Sequence, residues 1–241
     1  MTLLEAIDIR RSRRKYLPDP IDGNTIKALE ALAIEYSQKS GARIELVFND
    51  GSAFGSLRKT YGMLTGVRNY AGLIARRGDR EAAERLGYYG ELLMLHAVTM
   101  GLGACWVGGS FDRGSCPFAL EEGEEIVCVI SLGYAREKNS LRESLIYGAT
   151  HRKTKTIEQM MSADAPVPDW FLPGMRAVQK APSAVNRQPV TFSFKDGVVT
   201  AGLADVSTSA LLDLGIAKLH FELGAGRGSW AWGNDAAFTY K

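Results

Sequence analysis

Arg10, Arg11, Arg13, Arg14 and Lys15 place five cations within six consecutive positions of a 241-residue chain, with the hydroxyl of Ser12 among them. Guanidinium groups fork onto phosphate oxygens through paired N–H bonds, and a serine hydroxyl can add one more, so the run has the chemistry of an anion site. The competing reading is a solvated basic arm. Leu3, Leu4, Ile7 and Ile9 are the apolar members of a short amphipathic helix expected over Met1–Arg10, which delivers the cations to that helix's end. A second candidate is Gly108-Gly109, behind the apolar run Ala104-Cys105-Trp106-Val107. Two residues without Cβ make a turn, or they let backbone amides come up against a flat ligand. None of the three histidines has metal-ligand spacing, and His96 and His220 fall on apolar helical stretches, where a hydrogen-bonded core histidine is the commoner case.

Composition bounds the rest. Hydrophobic residues make up 46 % and charged residues 23 %, the make-up of a soluble globular chain long enough for one large domain or two small ones. The net charge of +2 leaves no strong field to draw nucleic acid or a membrane surface. Cys105, Cys116 and Cys128 lack CxxC spacing and lie in or beside apolar runs, which argues against a disulfide framework or a zinc site and for a reduced, cytoplasmic setting. No apolar h-region opens the chain and no window approaches ~18 uninterrupted apolar residues, so no membrane span is expected.

The elements that must position these residues follow from pattern. Leu17-Pro18-Asp19-Pro20 has to be extended or turned. A helix capped by Asn24 carries the stripe Ile26, Leu29, Leu32, Ala33 to Gly41, and 44–48 reads as a strand closed by Asn49-Asp50-Gly51. Residues 51–72 give only a weak signal, with a short strand at Tyr70–Ala75. Asp79 opens a long helix, apolar almost all round from Leu86 to Met100 and therefore buried, which Gly101 stops. Ile126–Tyr134, apolar on both faces, belongs inside a sheet. Trp170–Lys180 reads as a helix, and Val190–Phe194 with Val198–Ala201 as a hairpin across Asp196-Gly197.

Arg10-Arg11-Ser12-x-Arg14, one residue and an aromatic, after a short helix, resembles the opening of the flavin-dependent nitroreductases. Gly101-Leu102-Gly103-x-Cys105-Trp106-x-Gly108-Gly109 and the strand ending Leu132-Gly133-Tyr134 resemble later parts of the same family. So does Ala181-Pro182-Ser183-Ala184-Val185-Asn186-Arg187-Gln188-Pro189-Val190-Thr191-Phe192, a motif that the family carries between its second helix and first strand and that is missing here at Glu35–Gly41. The whole chain is similar to the TM nitroreductase branch. The resemblance implies FMN as cofactor, with Arg10, Arg11 and Ser12 at its phosphate end and Arg14 at the pyrimidine edge. It implies the backbone of Val107, Gly108 and Gly109 near N5, and Arg152 and Lys155 closing over the phosphate. Pro182, Ser183, Ala184 and Asn186 would lie on the flavin in a loop that homodimeric members lend across their two-fold axis.

A shift of 124 positions sets Leu92 over Ile216, Leu95-His96 over Leu219-His220, Trp106 over Trp230 and Gly109 over Gly233. The expected architecture is therefore an α+β nitroreductase-like FMN-binding fold, a central mostly antiparallel sheet flanked by helices, in two tandem halves that form an internal pseudo-dimer. Residues 1–155 would carry the phosphate site and 156–241 a shortened copy supplying the loop, with one FMN per chain and a competent monomer. By resemblance NAD(P)H is the donor and a nitroaromatic, quinone or similar conjugated compound the acceptor. No residue is assigned a catalytic proton role and no metal is expected; the alternative function is FMN storage or sensing without turnover.

Overall fold

The computed structural model describes residues 1–136 and 153–241. After helix α1 (Leu3–Ile9), a long helix α2 (Gly23–Ser40) leads into strand β1 (Arg43–Val47), a four-residue helix α3 (Leu57–Thr60), β2 (Asn69–Arg76), helix α4 (Arg80–Thr99), β3 (Gly103–Val107) and β4 (Glu124–Gly133). The four strands pair antiparallel in the order β1-β2-β4-β3. β2 and β4 are the inner pair. Every residue of β2 from Asn69 to Ala75 is buried, and so is β4 from Cys128 to Gly133, which is why these stretches read as apolar runs without alternation. α2 and α4 cover one face with Leu29, Leu86, Leu93 and Met94, while Phe54, Tyr70, Val107 and Phe111 pack on the other.

The cap of α2 differs from expectation. Asp22, not Asn24, is the N-cap: one carboxylate oxygen accepts the N–H groups of Asn24 and Thr25, both at 3.0 Å. An ionised oxygen at a helix N-terminus gains from the helix dipole as well as from the bonds, which an amide cannot match. The hydrogen bonds from Thr25 foremost hold the Asp22 carboxyl below its usual range. At the other end Gly41, at φ +66°, closes the helix as the sequence implied.

Beyond residue 152, β5 (Met161–Ala163) precedes helix α5 (Phe171–Gln179), the hairpin β6 (Thr191–Lys195) and β7 (Val198–Gly202), helix α6 (Thr208–Ala225), and then β8 (Ser229–Trp230) and β9 (Ala236–Thr239). The hairpin turns on Asp196 and Gly197, both left-handed as a two-residue turn demands. The second sheet has the order β5-β6-β7-β9-β8, so its antiparallel part β6-β7-β9-β8 repeats the order of the first sheet. Its core is aromatic: Phe171, Phe192, Phe221, Trp230 and Phe238 meet in edge-on and offset contacts.

α4 and α6 make the most extensive contact between described elements and tie the two sheets together. Residues 210–221 of α6 are all buried, so the helix has no solvent face. Close approach is possible because glycines stand at the crossing: a Cβ on Gly215 would lie 1.9 Å from the Glu84 carbonyl oxygen, and one on Gly87 2.1 Å from that of Leu212. Beside them the buried Lys218 ammonium pairs with the Glu84 carboxylate and donates to the Ala231 and Gly233 carbonyls at 3.0 and 2.9 Å. Gly215→Ala should therefore destabilise the protein by about 3 kcal/mol in urea unfolding, because backbone atoms cannot yield as side chains do. Gly23→Ala, where a Cβ meets nothing within 4 Å, should leave stability within about 1 kcal/mol of the parent or raise it.

Candidate functional site

The basic arm is docked, not solvated. Ser12 pairs with Ala104 as a parallel bridge and the Arg13 N–H donates to the Ala104 carbonyl at 3.0 Å, so residues 11–13 run alongside β3. Tyr16 pins the arm's far end: its buried hydroxyl lies 2.7 Å from both the Arg13 carbonyl and the Ser131 Oγ, inside β4. The Thr65 N–H donates to the Arg14 carbonyl and the Tyr16 N–H to the Thr65 carbonyl, which brings the weakly patterned segment after α3 against the arm.

These contacts frame a cavity of ≈ 340 Å³. Ser12 and Arg14 of the arm, Cys105 to Val107 of β3 and Gly108 after it line the cavity, with Met63 and Leu64. Pro182, Ser183, Ala184 and Val185 also line it, with Ser209, Leu212, Asp213 and Ile216 of α6. Its size and mixture of apolar wall with a few polar groups are those of a small-molecule site. A Cβ built on Gly108 or Gly109 would meet no atom of the described residues within 4 Å, so those residues do not require glycine at either position.

The loop facing β3 follows α5 and precedes β6, as the motif implied, and its backbone is strained. Val185 sits at φ 45°, ψ 36°, Asn186 at φ 51° and Gln188 at φ 46°, conformations costing about 1–3 kcal/mol each for residues with a Cβ. Surrounding bonds hold them. Ser183 Oγ accepts the Gln188 N–H at 2.9 Å, and the Gln188 side chain accepts the Lys155 N–H at 2.8 Å. Both Asp213 oxygens face the Ala184 N–H at 3.1 and 3.2 Å.

Of the residues singled out from sequence, Ser12, Arg14, Val107, Gly108, Pro182, Ser183 and Ala184 share this cavity. Others are placed differently. Arg11 turns back to cap α1, donating to the Asp8 and Arg10 carbonyls at 3.2 and 2.9 Å, because a helix end leaves carbonyls without partners. The Lys155 ammonium donates to the Gln188 carbonyl at 2.8 Å, so it clamps the loop from behind. Gly109 and Asn186 are neighbours of wall residues and do not line the cavity themselves. Arg152 lies outside the described residues. Sequence reasoning missed the α6 wall, Asp213 above all; the signal available was a lone acid between Leu212 and Leu214.

Arg10 is drawn inward. Its side chain is 10 % exposed, its Nε lies 3.9 Å from Glu91 Oε1, and Nη2 donates to the Lys180 carbonyl at 3.4 Å. Nε and Nη1 are buried and find no acceptor among the described residues. Glu91, wholly buried in α4, also accepts the Trp106 indole N–H at 2.7 Å and meets His220 Nε2 at 2.9 Å. His220 Nδ1 faces the Ala177 carbonyl at 3.0 Å, and since a carbonyl only accepts, that nitrogen carries hydrogen. One carboxylate thus joins the arm, β3 and α6.

Residues 2–225 match the family model described as "Putative TM nitroreductase", and the chain belongs to that family. No curated protein matches it. The Thermotoga maritima MSB8 protein described as a putative nitroreductase shares the fold across 100 % of this chain and 93 % of its own, at TM-score 0.69 and 18 % identity. A protein from Desulfovibrio desulfuricans, described as a putative nitroreductase in complex with FMN, covers 70 % of this chain and 99 % of its own at TM-score 0.48 and 19 % identity. A nitroreductase with bound FMN from Bacteroides fragilis covers 58 % and 92 % at TM-score 0.43 and 19 % identity. Among the described residues no helix is long and apolar enough to cross a membrane.

Glu91→Ala should lower stability by about 3–5 kcal/mol in denaturant titration, because it strands the buried charge of Arg10 and the ring of His220 together. A loss below about 1 kcal/mol, the level of an ordinary surface pair, would show that Glu91 does not hold these elements.

Proposed function

We propose that the chain is an FMN-dependent oxidoreductase passing hydride from NAD(P)H to a nitroaromatic, quinone or similar conjugated acceptor. The observation that carries this reading is Arg10: two buried guanidinium nitrogens with no hydrogen-bond acceptor among the described residues suit an anion, and a phosphate supplies one. Ser12 and Arg14 continue from Arg10 into the cavity, where Gly108 leaves room for a flat ring and Pro182 and Ser183 face it from the other side. The residues present fit the cofactor. When bound, FMN accepts and passes on hydride itself. The chain's residues would bind and orient it: Arg10 and Ser12 at the phosphate end, Arg14 as the positive charge beside the pyrimidine edge, and the Val107–Gly108 backbone along the ring. Arg14 would favour the ring's reduced, negatively charged form electrostatically.

The chain would do this as a monomer. Residues 1–155 and 156–241 are read as two tandem nitroreductase-like copies, the second without the basic arm; what supports this is the repeated strand order β1-β2-β4-β3 and β6-β7-β9-β8, with Trp106 and Trp230 both on the outermost strand. The loop lent between subunits in homodimers would here be supplied in cis. Three free cysteines favour a cytoplasmic setting.

The purified protein should carry FMN, released on denaturation, at no more than one per chain, and its affinity should not change with protein concentration. Arg10→Ala should weaken FMN binding by about 1.5–3 kcal/mol, the range for hydrogen bonds to charged groups. Arg136→Ala, at an exposed position, should not. A chain that takes up no FMN when it is offered would end this reading, and FMN binding without NAD(P)H oxidation would favour storage or sensing.

A further inference from the structure

Among the described residues three acids are buried, Glu84, Glu91 and Asp213. Glu84 is paired with Lys218, and Glu91 with His220 and Arg10. Asp213 has no cation within ion-pair distance among the described residues; its hydrogen-bond partner is one backbone N–H, that of Ala184. It stands on α6 between two leucines, where an apolar residue would satisfy the helix, and it lines the same cavity as Ser12 and Arg14. An acid held at such a cost, at the wall of a site, calls for a use.

We propose that Asp213 is a catalytic residue of this cavity, the carboxylic acid that hands a proton to the acceptor reduced there. This rests on the oxidoreductase reading above. With FMN bound as the hydride source, a quinone would gain two electrons and one proton and become a hydroquinone monoanion. The O–H bond of Asp213 then breaks, its proton forms the second O–H bond of the hydroquinone, and the electron pair stays on Asp213 as carboxylate. The Ala184 N–H, nearly equidistant from both oxygens, stabilises that carboxylate until water returns a proton.

The surroundings suit the role. Burial pushes the Asp213 carboxyl up to about 7, with the Ala184 N–H and then the charge of Arg187 drawing it back, so acid and carboxylate are both accessible near neutrality. The other charged or titratable residues that line the cavity are Arg14, Cys105 and Cys128, and Cys128 is near enough to feel the Asp213 charge. Burial pushes Cys128 far up, so it stays neutral while Asp213 titrates.

The test is Asp213→Asn in the full chain loaded with FMN, with flavin absorbance measuring occupancy and a quinone oxidising the pre-reduced protein in stopped flow. The wild-type rate should fall as pH rises through about 7; the variant should keep its FMN, react roughly 10²-fold more slowly and show no such fall. Two readouts need no turnover. The infrared carboxyl band lost in the variant should titrate near pH 7 in the wild type. Because the folded value lies above the 3.8 of a free aspartate, stability falls as pH rises from about 4 to about 7 and stays lowered above that, so the variant should melt higher than the wild type near pH 8 and no higher near pH 3.5. An FMN-loaded variant with the wild-type rate and pH profile would overturn the proposal, as would a carboxyl already ionised at pH 5.5. If the variant does not fold, a flat wild-type profile between pH 6 and 8 overturns it equally. A protein that binds no FMN would instead sink the cofactor reading, which occupancy reports separately.

Discussion

Everything in this molecule hangs on how closely α4 and α6 approach. Two glycines let the helix backbones touch, and the Glu84–Lys218 pair, sealed by the Gly233 N–H on the second carboxylate oxygen at 2.7 Å, fixes their register. A buried pair of this kind adds little net stability, since desolvation offsets most of the attraction, but misaligning it is costly. Its effect is to specify one crossing. That crossing sets the far wall of the cavity, because Ser209, Leu212, Asp213 and Ile216 face the site from the same helix that carries Gly215 and Lys218.

The cavity joins the two ends of the chain. The arm reaches β3 through Ser12 and Arg13, and the strained loop reaches it from beyond α5, with Glu91 connecting both sides through Arg10, Trp106 and His220. The left-handed backbone at Val185, Asn186 and Gln188 is stored strain that a free loop would release. Asp213 and the Lys155–Gln188 clamp withhold that release from opposite sides. Strain held at a cavity wall is how a site keeps its shape before a ligand arrives.

The longer elements were legible where each carried its own signal, whereas the short α3, β5, β8 and β9 were not read from the sequence. α4 was visible from a continuous apolar run with Asp79 before it and Gly101 after it, and β4 from alternation that never appeared. The hairpin at Asp196-Gly197 needed only turn chemistry. α2 was found from its stripe, yet its cap was assigned to the wrong neighbour, since Asp22 and Asn24 both suit an N-cap and only geometry chooses. Residues 51–72 stayed opaque for a different reason. Thr65 is held by the docked arm, its N–H on the Arg14 carbonyl and its carbonyl accepting the Tyr16 N–H, not by any local period.

Site residues divide along the same line. Motif residues whose backbones form the wall, Val107, Gly108 and Pro182 to Ala184, fell where their neighbours in sequence put them. The cationic side chains divide, because a guanidinium can reach several acceptors: Arg14 lines the cavity, Arg11 donates to the carbonyls at the end of α1, and Arg10 reaches towards Glu91. A run of cations therefore reports that an anion site is near without saying which cation meets the anion. Asp213 was illegible for the opposite reason. A single acid in an apolar helix gives no pattern, and only the packing of α6 against a loop from α5 shows that its partner is a backbone N–H rather than a charge.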